Sequence, residues 1–230
     1  MRQGKKQVLV VLEVGNKRVF AIAQDWPGWC RSGSDEESAL QALFNSGPQY
    51  QKVLHASKIR FAVPKQLSKF VVVERIKGDA TTDFGALSRA WSEDQRLISP
   101  RELKRFQKIL QACWVEFDQA VQAARGKTLR KGPRGGGRNL RKISEHVYDV
   151  DLAYLKNLGG KPKQSEKRSL NQRLAQVREE ILTTLSEAAR GEVPKRGPRG
   201  GIRWTPRYFV RRLAWHELDH AWEIMSRAEG

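Results

Sequence analysis

Trp215-His216-Glu217-Leu218-Asp219-His220-Ala221-Trp222 carries two of the chain's four histidines, four residues apart. On a helix that spacing stacks both rings on one face. From about Tyr208 to Arg227 there is no Gly or Pro, and Phe209, Leu213, His216, His220 and Ile224 fall along one stripe. The segment therefore reads as a helix whose imidazoles point toward a core, where buried polar rings need partners. A third histidine, His146, stands at the inner edge of a second stripe, Leu140, Ile143, Val147, Val150 and Tyr154. Two such helices facing each other bring three imidazoles to one point. That donor set suits a divalent metal with an open coordination position: zinc, or iron or nickel in related sites. The structural alternative is a set of satisfied core histidines. His55, in a short polar segment with no second donor nearby, carries no such expectation.

Outward from these two segments, the C-terminal half resolves into four helices. Ser99-Pro100-Arg101-Glu102 is an N-cap, a proline at the first helical position and a glutamate three after the cap, opening a helix that buries Leu103, Phe106, Leu110, Cys113, Phe117, Ala120 and Ala124. The second spans about Asn139 to Leu158 and stops at Gly159-Gly160. The third runs from about Glu166 to Arg190, and the fourth, the histidine helix, begins near Thr205. Four amphipathic helices of similar length make a four-helix bundle over residues 99–230. Antiparallel packing of the second and fourth sets the three histidines level along the axis.

The N-terminal part has a different period. Gln7 to Gly15 alternates and is rich in Val and Leu, Asn16-Lys17 turns, and Arg18 to Gln24 is a second strand, giving a hairpin. A third short strand, Trp29 to Arg31, leads into a helix opened by Ser34-Asp35-Glu36-Glu37 and stopped at Gly47; a short helix, Gln49 to Ala56, and a strand, Phe70 to Arg75, follow. Residues 1–76 thus form a small antiparallel sheet with helices. Residues 77–98, with Gly78, Gly85 and little apolar periodicity, read as a linker, and the fold class is α+β.

At 230 residues and 39% hydrophobic content the chain can bury real cores without staples. Its two cysteines, Cys30 and Cys113, have no metal or redox spacing, which points to a reducing, cytoplasmic setting without disulfides. The apolar N-terminal run is too short for a spanning helix and lacks a cleavage site, so no membrane partner is expected. The net charge of +18 is uneven: Arg125 to Lys142 has eight basic residues and no acid, and Arg190 to Arg212 has eight and one acid. Such runs attract phosphates, nucleic acid or anionic substrates, although no nucleic-acid module signature accompanies them. Two near-copies of one phrase, Lys131-Gly132-Pro133-Arg134-Gly135-Gly136 and Arg196-Gly197-Pro198-Arg199-Gly200-Gly201, precede the two histidine helices. Glycine-rich backbone and an arginine fork beside a helix start can hold an anion, which makes Arg134 a candidate substrate-binding residue. Arg212, one turn before His216 on the same face, is the other candidate, placed to neutralise a substrate carboxylate.

Two resemblances add to this reading. The run Phe20-Ala21-Ile22-Ala23, Asp25-Trp26-Pro27-Gly28-Trp29 and Gly33-Ser34-Asp35-Glu36-Glu37-Ser38-Ala39-Leu40 resembles the HicB-like fold over about residues 7–76, without that family's helix-turn-helix extension. The bundle, with one histidine on its second helix and His-x-x-x-His on its fourth, resembles the DinB-like superfamily over roughly Ser99 to Gly230. That likeness implies an up-down-down-up helix order, which asks the chain after Gly159 to travel back along the bundle, and a divalent metal on His146, His216 and His220. It further implies a metal-dependent enzyme, a hydrolase or a thiol-dependent transferase, with an anionic or thiol cosubstrate; a homodimer is compatible with it. The competing expectation is a basic nucleic-acid-binding or regulatory protein in which the bundle is structural. No residue is assigned a catalytic role.

Overall fold

The Val- and Leu-rich segment Val8–Val14 is strand β1, and it turns through Gly15, whose N–H donates to the Arg18 carbonyl at 2.9 Å, into antiparallel β2, Val19–Ala23. The computed structural model describes residues 7–55, 57–132, 137–163 and 169–228, and the chain divides into two units, Met1–Ser92 and Glu93–Gly230. In the first unit β3, Cys30–Gly33, pairs antiparallel with β2, and helices α1, Glu36–Asn45, and α2, Gly47–His55, follow. Asp35 caps α1, its carboxylate accepting from the Ser38 N–H while the Ser38 hydroxyl accepts from the Asp35 N–H. The box expected there thus closes on Ser38. β4, Phe70–Lys77, completes the sheet in the order β3-β2-β1-β4, and it lies parallel to β1.

The sheet is therefore mixed, where the alternation of its strands suggested an antiparallel one. The cause is the connection: a strand that returns to its sheet through two helices arrives as a crossover, and local pattern carries no record of that direction. The core of this unit centres on Trp29, stacked on Tyr50 with ring centroids 5.8 Å apart and met edge-on by Phe61. Its indole N–H donates to the Leu43 carbonyl and the Ser46 hydroxyl, so the one polar atom of a fully buried ring is satisfied.

The stretch expected to serve as a linker, 77–98, is instead divided between the units and folded. It contains α3, Ala80–Phe84, capped by Asp79, and buries Leu87 and Trp91. Its anchor is Glu13 of β1, a fully buried carboxylate that accepts from the Thr82 hydroxyl at 2.6 Å and the Ser88 N–H at 3.0 Å. A single buried acid wanting several donors gathers a segment that has few apolar residues of its own.

The second unit contains α4, Pro100–Ala123; α5, Leu140–Leu158; α6, Leu170–Ala189; and α7, Pro206–Ala228. Ser99 and Glu102 cap α4 reciprocally, with Pro100 in the first turn. Glu102 also accepts from Arg207 at 2.7 Å, which ties the start of α4 to the start of α7, so these two run parallel. Asp118 and Gln107 of α4 bond to Arg178 and Ser186 of α6 in reversed order, making α4 and α6 antiparallel. Asn157, near the end of α5, accepts from the Trp204 N–H just before α7, while Arg227, near the end of α7, donates to the Arg138 carbonyl just before α5. Those two are antiparallel, and the order is up-down-down-up. That order requires a return of the chain between the end of α5 and the start of α6. Gly159 makes its start possible, at φ +112°, a conformation side chains resist. Among the described residues no helix is long and apolar enough to cross a membrane.

Candidate metal centre

His146 sits on the second turn of α5, and His216 and His220 sit on successive turns of α7, so the antiparallel packing brings the three rings together. Ring centroids are 5.2 Å apart for His146 and His216, 5.0 Å for His146 and His220, and 4.6 Å for His216 and His220. The ligand-capable nitrogens all lie within 4.8 Å of one another. Nε2 of His216 and Nε2 of His146 are 3.3 Å apart, close to the separation of about 3.3 Å that two nitrogens have on a tetrahedral ion at about 2.0 Å. His216 is buried, and the other two are half-buried at the edge of the cluster.

Burial favours the neutral form of two of the rings, the form that binds a metal. Burial, helped by the neighbouring His220, lowers His146 to about 4, and burial with both other histidines and Arg212 takes His216 well below its ordinary value. His220 is oriented by Glu223, one turn further along α7, whose Oε2 lies 2.9 Å from Nδ1. A carboxylate that accepts from Nδ1–H leaves Nε2 as the atom free to bind a metal. Burial pushes the Glu223 carboxyl up, but its bonds to His220 and to Arg227 at 2.7 Å outweigh that and bring it down to about 2. Arg227 also donates to the carbonyls of Arg130 and Arg138, so the basic segment before α5 is clamped beside this end of α7.

Below the histidines lies a layer of charge. Asp151 of α5 and Glu217 of α7 are fully buried, Arg178 of α6 is nearly so, and its Nη2 stands 3.8 Å from Glu217 Oε2 while Nη1 donates to the more exposed Asp118 at 2.8 Å. Burial and the adjacent Glu217 charge raise Asp151 far above the usual carboxylate range, and burial raises Glu217 as well, so the two carboxyls compete for the one buried guanidinium of Arg178. Glu217 follows His216 directly and so turns about 100° away from the histidine stripe. It faces the bundle core.

Of the substrate-binding candidates, Arg134 falls in 133–136, outside the described residues. Arg212 is buried one turn before His216 and donates to the Tyr154 hydroxyl at 2.9 Å. The second glycine phrase lies at the far end from the histidines and satisfies itself: the Gly197 N–H donates to the Gly201 carbonyl and Arg196 to the Gly200 carbonyl. Glu223 was absent from the sequence reading, although a carboxylate three residues after a candidate ligand is a recognisable signal. Asp151 and Arg178 were also missed, since nothing in their spacing marks them.

Comparison with known proteins adds one finding: the profile described as DinB superfamily matches residues 109–224, about half the chain. No curated protein and no solved structure matches significantly. The matched span holds α5, α6, all three clustered histidines and most of α4 and α7, and on that match the chain belongs to the DinB superfamily.

Proposed function

We propose that this is a metal-dependent enzyme, of the hydrolase or thiol-dependent transferase type, in which His146, His216 and His220 hold a divalent zinc, nickel or iron ion. The observation that carries the reading is the meeting of three imidazoles from two helices, with ligand nitrogens inside 4.8 Å. The donor set fits: Nε2 of His146 and His216 face each other, Nδ1 of His220 is taken by Glu223, and the His216 Nδ1 has no bond of its own. A divalent ion bound there supplies a Lewis acid that lowers the pKa of a water or thiol in its open position. The chain's part is to favour neutral His146 and His216 by burial, to aim His220 through Glu223, and to keep Glu223 ionised through Arg227. The small sheet and its helices are read as a HicB-like module, on the likeness of the Asp25-to-Leu40 run.

Elemental analysis of protein purified without an affinity tag tests this reading. Wild type should carry close to one equivalent of transition metal per chain, and the His216→Ala, His220→Ala double variant should carry little. Equal metal content in the two ends it. A second reading has one observation in its favour: Arg125, Lys127, Arg130, Lys131, Arg138, Arg141 and Lys142 are all exposed, with no acid between them. Under it these residues grip nucleic-acid phosphates, and binding to mixed-sequence duplex should weaken steeply with salt. Absence of retention at low salt removes it.

A further inference from the structure

Arg212 is a buried cation without a counter-charge. Only 8% of the residue is exposed. The other buried arginines of its unit each meet a carboxylate: Arg178 with Asp118 and Glu217, Arg211 with Asp94, Arg227 with Glu223. Among the described residues Arg212 meets none. Its guanidinium is caged by aromatic faces, lying 5.5 Å from the ring centre of Tyr154, 5.9 Å from Trp204 and 5.5 Å from Trp215. Of its N–H groups one goes to the Tyr154 hydroxyl, and among the described residues Nε and Nη1 have no hydrogen-bond partner.

A guanidinium has five N–H donors in two flat, two-pronged edges, and one bond to a hydroxyl leaves at least one whole edge free. Burying that fork unpaired is costly, and cation–π contacts do not satisfy the N–H groups. An anionic ligand would complete such a charge. Arg212 stands four residues before His216 on α7, about 6 Å along the helix, and its partner Tyr154 has its ring centre 5.9 Å from that of His216. The half-buried Tyr154 and Trp204 form the side of the cage that reaches the surface.

We propose that Arg212 is the seat of a substrate carboxylate, held by the guanidinium fork between aromatic walls about one helical turn from the three histidines. A planar monoanion matches one flat edge and a flat-walled cage. The inference rests on the metal-centre reading for its chemical meaning, since it names the part of the substrate held while the ion works on a neighbouring group, but the binding it predicts is independent of metal.

The test uses the untagged full chain, stripped of metal with a chelator and, separately, loaded with zinc. Acetate is the probe, against a chloride background. Saturation-transfer NMR should show acetate contacting the metal-free wild type, with the signal at least fivefold weaker in Arg212→Met and intermediate in Arg212→Lys, which keeps the charge and loses the fork. In chloride alone Arg212→Met should melt no lower than wild type, because it removes an unpaired buried charge, and it should lose the rise in melting temperature that acetate gives wild type. Equal acetate transfer in wild type and Arg212→Met overturns the proposal. So does Arg212→Met melting several degrees below wild type in chloride, which makes the guanidinium a structural element. Metal bound normally with no acetate effect ends this proposal alone, while Arg212-dependent acetate binding in a protein that takes up no metal ends the metal reading alone.

Discussion

Replacing Arg178 with methionine should be among the most damaging single changes available in the bundle. The side chain supplies the positive charge that stands 3.8 Å from the fully buried Glu217. At an effective dielectric constant of about 20 that separation is worth roughly 4 kcal/mol, and removing one member of a buried pair generally costs about 3 to 5 kcal/mol. The exposed end of the same guanidinium, on Asp118, adds less than about 1 kcal/mol. Thermal unfolding should then shift by roughly 10 °C, taking about 2 to 4 °C per kcal/mol for a domain of this size. The measurement is the calorimetric transition of the helical unit, followed with urea denaturation at pH 7. A triple variant, Arg178→Met with Asp151→Asn and Glu217→Gln, buries no unpaired charge and should recover to within about 2 kcal/mol of wild type. If Arg178→Met alone lies within about 1 kcal/mol of wild type, Glu217 is not held charged against Arg178 in a dry core and the description of this layer is wrong.

Three further outcomes follow from the same geometry. Glu223→Gln keeps the shape beside His220 but loses the charge on Nδ1, and metal affinity measured by competition with a chelator should fall about 10- to 100-fold; an unchanged affinity would mean that the carboxylate does not support the ligand. Glu102 has a carboxyl that burial pushes up but that Arg207 and Ser99 bring down to about 2 from 4.5, so its contribution is whole above 4.5 and lost as pH falls toward 2; Glu102→Gln should flatten the acid limb of a stability–pH curve, and parallel curves would refute the assignment. Gly159→Ala places a Cβ 2.5 Å from Val193 Cγ1 at φ +112°, and should cost at least about 1 kcal/mol in urea unfolding.

The histidine cluster was legible because it rests on a period. Histidines at i and i+4 must share a helix face whatever the rest of the chain does, and a third on another apolar stripe meets them once two helices face each other. The caps were legible for a similar reason: Ser99 and Glu102 satisfy N–H groups that every helix leaves open, so the chemistry is local. The return of the chain between α5 and α6 was anticipated only through the family likeness. Strand direction behaves in the same way, since β4 lies parallel to β1 because two helices stand between them in the chain.

What stayed hidden was polar matter inside the core. A stripe argument assumes that a helix buries one face, and by that assumption Glu217, turned about 100° from His216, belongs outside. Yet Tyr208 through Leu218 are all buried, so α7 has no outside over three turns and every polar residue there must find a partner within. Glu217 finds Arg178, and Arg211 finds Asp94, pairs separated by many residues whose spacing carries no signal. Arg212 is the exception that the same accounting exposes. Where a buried arginine is matched by a carboxylate of the chain, the ion pair explains it; where the match is missing one turn from three clustered imidazoles, we propose that the missing half belongs to what the site binds.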